Sequence, residues 1–261
     1  MTVLCVLVII AFILLSLRYP WWFPRTWHSM PVIMYHHAGT PPMDDPPTQK
    51  QIDEELTYLE PATMEAQIQK IRAMGFNFIN LDDLAQEKLP PHPLMLTFDD
   101  GHQDNFTVVF PLLQKYQAKA TIFLSTDYID HDPTYLTWEQ VKLMDQSPLI
   151  NFGSHTCSHT RLRHLPNDRI VYELTASKRL IEEKLGHEIN AFAYPYGSGA
   201  YDQRIRSQVL AAGYRYDFST RPGRASLPLS SRRPIARIYP KRYQTAADFT
   251  AQLRWGRRRI C

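Results

Sequence analysis

A chain of 261 residues, 44% of them hydrophobic, can bury one sizeable core and fits a single large barrel-like domain. Its net charge of +3 is too small to argue for a nucleic-acid partner. Cys5, Cys157 and Cys261 lie far apart and form no disulfide framework.

Taken from its start, the chain opens on an apolar run, Val3 to Leu17, broken only by Ser16. The run is short for a membrane span, but Tyr19, Trp21, Trp22 and Phe23 extend it as an aromatic belt at an interface. A cleaved signal peptide is the competing reading. No basic stretch precedes the run and no small-x-small cleavage site follows it, so an uncleaved anchor is favoured. Pro31 to His37 reads as the first strand, carrying His36 and His37. Gly39 to Thr48, rich in proline and aspartate, reads as a loop rimming a cleft. Thr63 to Met74 places Met64, Ile68, Ile71 and Met74 on one face and predicts an amphipathic helix, with Thr63 as cap and Gly75 as stop.

Phe76 to Leu81 is a predicted strand, and a helix starts over Leu81 to Gln86. Leu94, Met95 and Leu96, bracketed by Pro91, Pro93 and Gly101, predict a buried strand. Beyond it, helices are expected over Val108–Tyr116, Trp138–Met144, Asp168–Leu185 (ending at Gly186) and Asp202–Ala212. Strands are expected over Ala120–Leu124, Leu149–Gly153, Ala191–Tyr194, Tyr214–Phe218 and Ile235–Tyr239. Arg254, Arg257, Arg258 and Arg259 read as a solvated or membrane-surface tail. Strands alternating with helices imply an α/β fold with a parallel sheet and right-handed crossovers. In parallel α/β folds the chemistry sits at the C-terminal ends of the strands.

Three stretches at such ends carry candidate chemistry. Asp99 and Asp100 precede Gly101; neighbouring side chains on a regular strand point to opposite faces, but at a kinked end they can diverge, one toward a metal and one toward a substrate. An ordinary turn is the plain alternative. His155 and His159 stand at i and i+4, a spacing that puts two imidazoles on one metal if the segment makes a helical turn; surface or core histidines are the plain alternative. Cys157 between them reads as a packed thiol. Phe192 to Gly197 reads as a strand running into a turn.

Together these stretches resemble the polysaccharide deacetylases of carbohydrate esterase family 4, the NodB homology domain. The family's TFDDG motif is matched by Thr97-Phe98-Asp99-Asp100-Gly101. Its H-[ST]-x-x-H motif is matched by His155-Thr156-Cys157-Ser158-His159, and its terminal P-Y by Pro195-Tyr196. The likeness spans roughly residues 30 to 240. PVIMYHHAG at Pro31 to Gly39, with FAYPYG, looks like the branch that de-N-acetylates poly-N-acetylglucosamine.

The resemblance implies a distorted, incomplete (β/α) barrel of about seven strands over residues 30–261, behind a membrane anchor or signal segment over residues 1–25. It implies a divalent metal on Asp100, His155 and His159, zinc or else nickel, cobalt or iron. Asp99 is then the general base, His36 a candidate general acid, and the backbone amide of Tyr196, after Pro195, a second contact for developing oxyanion charge. Where many members carry an arginine that orients the catalytic aspartate, this chain has Ala193 and Tyr194; Arg237 is the candidate replacement. No histidine follows His187, so the family's C-terminal leucine-x-x-histidine is missing, and the acid is His36 or is lacking.

The implied partner is an acetylated polysaccharide outside the membrane. That expectation sets the orientation of the N-terminal run against the inside preference of Arg18 and Arg25. An O-acetyl esterase using the same site and a catalytically silent polysaccharide-binding protein are the alternatives. Oligomeric state is not readable.

Overall fold

The computed structural model describes residues 29–41, 48, 55–86 and 88–256. Twelve strands occur among them: β1 Ser29–Met30, β2 Val32–Tyr35, β3 His37–Ala38, β4 Tyr58–Leu59, β5 Asn77–Ile79, β6 Pro93–Phe98, β7 Ala120–Leu124, β8 Ile150–Ser154, β9 Ala191–Ala193, β10 Tyr216–Pro222, β11 Ala225–Ser226 and β12 Ile235–Arg237. The main sheet runs β12-β10-β9-β8-β7-β6-β2, every pair parallel, with β5 added along the first half of β6. Just beyond β12, Ile238 exchanges backbone hydrogen bonds with β2 (Met34 N to Ile238 O, 2.8 Å; Ile238 N to Val32 O, 2.7 Å). The seven-strand path thus curls into a nearly closed parallel barrel-like sheet.

The strand sequences explain their depth. VIMY of β2 and ATIFL of β7 are buried along their whole length, the near-continuous apolar runs of strands covered on both faces. Alternation divides them. Val32, Met95, Phe123, Ala191, Ala193, Phe218 and Ile235 pack together as one cluster inside the barrel. Ile33, Tyr35, Leu94, Leu96, Phe98, Ile122 and Leu124 join the helices in a second, larger one. Gly153 of β8 leaves room for the interior: a Cβ there would stand 2.6 Å from the Phe123 ring.

The same alternation places Thr97 and Asp99 in phase with Met95, and Arg237 in phase with Ile235, at the mouth of the barrel interior. Because the sheet is parallel, Tyr35, Phe98, Ser154, Ala193 and Arg237 all end on one face. His36, Asp99, Asp100, His155, Pro195 and Tyr196 follow within it.

Several elements differ from expectation. The first helix spans Pro61–Ala73, with Pro61 inside its first turn and Glu60 as N-cap, so Thr63 is not the cap. Val108–Tyr116 divides into a wider π turn over Asn105–Val109 and an α-helix over Phe110–Tyr116. Arg254 lies in a helix, Ala246–Trp255, which buries Phe249 and Leu253 and is capped by Thr245; the tail reading fails for it. Arg257, Arg258, Arg259, Cys5, Cys261, most of the Gly39–Thr48 loop and the Val3–Leu17 run lie outside the described residues. Among the described residues no helix is long and apolar enough to cross a membrane.

Candidate functional site

The end of β6 is bent by two successive left-handed residues, Asp100 (φ 78°) and Gly101 (φ 83°). Aspartate tolerates that region better than most side chains. At Gly101 a Cβ would also meet Leu124 Cδ2 at 2.7 Å, so glycine is required there. The bend is held by Asp99 N to Tyr35 O (2.9 Å), Ser125 N to Asp100 O (3.2 Å) and Leu136 N to Gly101 O (2.9 Å). Its result is that two adjacent carboxylates leave the strand toward different neighbours.

Asp99 meets Arg237. Both are buried, and the guanidinium forks onto the carboxylate, Nη1 to Oδ1 at 2.6 Å and Nη2 to Oδ2 at 2.7 Å. Arg237 also donates to Ser219 O (2.9 Å) and Thr97 Oγ1 (3.2 Å). Burial works against the Asp99 charge, but Arg237 and His155 outweigh it and hold its pKa below the usual carboxylate range. Tyr194, where the family arginine was sought, donates instead to Asp217 (3.0 Å), which also holds Arg206 (2.7 Å).

Asp100 turns toward the histidine loop. Its Oδ1 lies 3.3 Å from His155 Nε2 and 3.1 Å from His159 Nε2, and one ligand atom from each of the three residues falls within 4.8 Å of the others. The two histidines meet, but not on a helix: residues 155–160 carry no helical turn, and Thr156 (φ 69°) and His159 (φ 50°) are left-handed. The i, i+4 pair therefore meets through left-handed loop residues and not through the helical turn that its spacing suggests. The loop is tied instead by Glu173 from the Asn167–Leu185 helix. This buried carboxylate accepts from Cys157 N (2.9 Å), Ser158 N (3.1 Å) and Ser158 Oγ (2.8 Å). Cys157 is a buried free thiol whose pKa burial pushes up to about 11.

The donor set fits a cation. His155 Nδ1 lies 2.8 Å from Ala193 O, so it carries the proton and donates. When the ring is neutral, its Nε2 lone pair faces Asp100 Oδ1, a buried oxygen that accepts no hydrogen bond among the described residues. Lone pairs facing one another around a bare carboxylate oxygen are unfavourable unless a positive charge sits between them. The Asp99 charge is matched by Arg237, so the Asp100 charge is the one left to attract it. Two imidazole nitrogens and one carboxylate oxygen are the ligand types of an open catalytic metal site.

The titrations follow this field. Asp100 is held well below the usual range, because the imidazoles of His102, His155 and His159 outweigh its burial. Burial lowers His159 to about 4 against the pull of Asp100. His155 is raised, since Asp99 and Asp100 more than offset its burial.

His36 follows β2 with its ring edge on Tyr239 (centroids 5.6 Å apart) and its Nδ1 buried with no hydrogen-bond partner among the described residues. Burial lowers its pKa, opposed by Asp100 and Asp99. His37, half-buried, lies 2.8 Å from Asp104 and stacks on Tyr58 at 3.9 Å. Pro195 is buried. Tyr196 adopts φ 56°, packs its ring 4.6 Å from that of His159 and lies under the Arg161 guanidinium at 3.8 Å.

Sequence reasoning missed Glu173 and His102. Glu173 stands three residues after Ile170 and four before Ser177 on the helix face that buries both, and an acid on an apolar stripe was the available signal.

Residues 86–216 match the family model described as polysaccharide deacetylase. YxkH of Bacillus subtilis, which carries a polysaccharide deacetylase name, is 35% identical over 144 residues, covering 55% of this chain and 50% of its own. A poly-β-1,6-N-acetyl-D-glucosamine N-deacetylase of Staphylococcus epidermidis is 29% identical over 173 residues, 59% of this chain and 58% of its own. The chain thus spans between half and three-fifths of the length of these curated relatives. Among solved structures, the deacetylase PplD of Streptococcus pyogenes, in complex with acetate, superposes with a TM-score of 0.73 at 27% identity, covering 87% of this chain and 98% of that one. IcaB from Ammonifex degensii shares the fold, with a TM-score of 0.67 at 21% identity over 88% of this chain and 97% of that one.

Proposed function

Because the chain belongs to the polysaccharide deacetylase family, we propose that it is a metal-dependent hydrolase that removes N-acetyl groups from an N-acetylglucosamine polymer. The observation that carries this reading is the convergence of Asp100 Oδ1, His155 Nε2 and His159 Nε2 beside a separate buried carboxylate, Asp99. Relatives named poly-β-1,6-N-acetyl-D-glucosamine N-deacetylase support the choice of polymer.

A divalent cation held by Asp100, His155 and His159 supplies Lewis acidity toward an amide carbonyl and lowers the pKa of water; zinc suits the ligands, as do nickel, cobalt and iron(II). Asp99 takes the proton of the attacking water as general base, and Arg237 fixes the plane of its carboxylate. His36, across the same strand ends, delivers a proton to the departing amine. The backbone N–H of Tyr196, after Pro195, faces the negative charge that develops on the carbonyl oxygen. Arg237 thereby stands for the arginine absent at Ala193 and Tyr194.

In this reading the Val3–Leu17 run tethers a periplasmic or extracellular catalytic domain. A full-length protein that fractionates as soluble, with a mature N-terminus beyond Phe23, overturns the tether. The activity itself is tested by acetate release from poly-β-1,6-N-acetylglucosamine, chitin oligomers, peptidoglycan and acetyl-xylan at equal acetyl content. Release from the glucosamine polymers is expected. Release from acetyl-xylan alone makes the protein an O-acetyl esterase, and release from none makes it a binding protein.

A further inference from the structure

The residue after the aspartate motif, His102, has no role in the reading above, yet it touches the metal-site carboxylate. Its Nε2 lies 3.2 Å from Asp100 Oδ2, the oxygen that faces away from His155 and His159. The ring is buried, and its Nδ1 has no hydrogen-bond partner among the described residues. That fixes the tautomer. A proton on Nδ1 would be a buried donor with no acceptor and would leave a lone pair facing a carboxylate, whereas a proton on Nε2 makes a hydrogen bond to Asp100.

The ring also packs against two others. His37 stacks on it at 3.5 Å, and Tyr135 packs against it at 4.7 Å. Behind His37 stands Tyr58, and Asp104 holds its Nδ1; behind Tyr135 stands Tyr128 at 4.7 Å. The backbone is tied across the same place by an antiparallel bridge between His102 and Tyr135 and by Gln103 N to Thr134 O (2.8 Å). A column of five rings therefore holds one N–H against one oxygen.

We propose that His102 is a positioning residue that engages Asp100 Oδ2, so that Asp100 offers a cation a single oxygen, Oδ1. This rests on the reading of Asp100, His155 and His159 as metal ligands. A carboxylate can bind a cation through one oxygen or two. With Oδ2 occupied by a hydrogen bond, the carboxylate takes one coordination position and leaves others for water and a substrate oxygen. Without the donor, Asp100 can rotate or close on the cation with both oxygens. Hydrogen-bond partners behind metal ligands are typically worth ~10–100-fold in metal affinity or activity.

The test is zinc affinity by chelator competition, with the cobalt(II) visible spectrum as a report on coordination number, on metal-stripped full-length protein. His102→Phe keeps a ring in the column and removes the donor; His102→Gln loses the ring but can return an N–H. We expect the Phe variant to bind zinc ~10–100-fold more weakly and to change the cobalt spectrum, with the Gln variant recovering most of both. Equal zinc affinity and an unchanged spectrum in His102→Phe would overturn the role of His102 and leave the metal site standing. A Gln variant as weak as the Phe variant would also overturn it, because the N–H would then not be what matters. Failure of the wild-type protein to take up zinc would remove the metal site itself, a different result from either.

Discussion

On the interior side of the β6 end, Asp99 faces a guanidinium that donates one hydrogen bond to each of its oxygens and leaves each a further lone pair, and all partners in that contact come from the protein. On the outer side, one residue on, Asp100 receives His102 at Oδ2 while Oδ1 faces two imidazole nitrogens and accepts no hydrogen bond among the described residues. The two side chains have the same chemistry and share one strand end. They differ because strand alternation sends Asp99 into the barrel, where Arg237 from β12 reaches it, and because the left-handed bend at Asp100 turns its carboxylate toward the loop after β8. The interior side is charge-balanced by Arg237, and the proposed function makes its carboxylate the proton acceptor. In the proposed reading a cation completes the outer side.

Removal of the outer side should have the largest effect. His155→Ala combined with His159→Ala leaves one protein ligand, so bound metal should disappear and turnover fall to background, measured by metal analysis and acetate release. Stoichiometric metal in that variant would end the assignment of both histidines. On the interior side, Asp99→Asn keeps the shape and removes the basicity. Turnover should drop by ~10²–10⁴ with metal content unchanged, and loss of metal would make Asp99 a ligand instead of a base.

Arg237→Met strands a buried carboxylate and should cost ~3–5 kcal/mol in urea unfolding. Adding Asp99→Asn to it should recover part of that loss, since no buried charge is then left alone. No recovery would mean that Arg237 acts mainly through Ser219 and Thr97.

How much of this was legible depends on which physics sets each feature. The buried strands and the long helix are written in local periodicity, so Ala120–Leu124 has the expected bounds and Asn167–Leu185 begins one residue early. The motif residues were legible as a set, and the structure brings Asp100, His155 and His159 together. Their geometry was not, because the left-handed conformations at Asp100, Thr156 and His159 are set by tertiary contacts, which local propensity alone does not specify. Arg237 could be named as a candidate but not placed, since a parallel barrel joins positions 138 residues apart only once it curls. The Ala246–Trp255 helix was hidden by the arginines after it, which drew attention from the apolar spacing of Phe249 and Leu253.

Glu173 tests the support of the outer side. Glu173→Gln keeps the size but cannot accept from Cys157 N, Ser158 N and Ser158 Oγ as an anion does. Stability should fall by ~1–3 kcal/mol, and metal affinity should fall with it while the Asp99 side keeps its ion pair. A variant with wild-type metal affinity would show that the loop holds its shape through the His155 contacts alone.

The smallest effect expected is a pH dependence confined to the outer side. In the metal-free protein the carboxylates of Asp99 and Asp100 outweigh burial and raise the pKa of His155 above its ordinary value, while burial lowers His159 to about 4. Around pH 5.5, then, His155 holds a proton, His159 does not, and Asp100 is ionised. Binding needs the His155 Nε2 lone pair, so a cation must displace that proton, and affinity should fall about tenfold per pH unit below the raised pKa of His155. A second competing proton enters only near pH 4, on His159. Asp99, whose pKa is lowered by Arg237 and His155 against its burial, stays ionised through the window and contributes no slope. Zinc titration by calorimetry at pH 5.5, in two buffers of different ionisation enthalpy, should therefore report release of about one proton per zinc bound. Release of two would place a proton on His159 in the metal-free protein, and burial of that ring would not be setting its charge. Release of none would mean His155 is already neutral, so that Asp100 draws no proton to it and the two sides of the strand end differ less than their geometry implies.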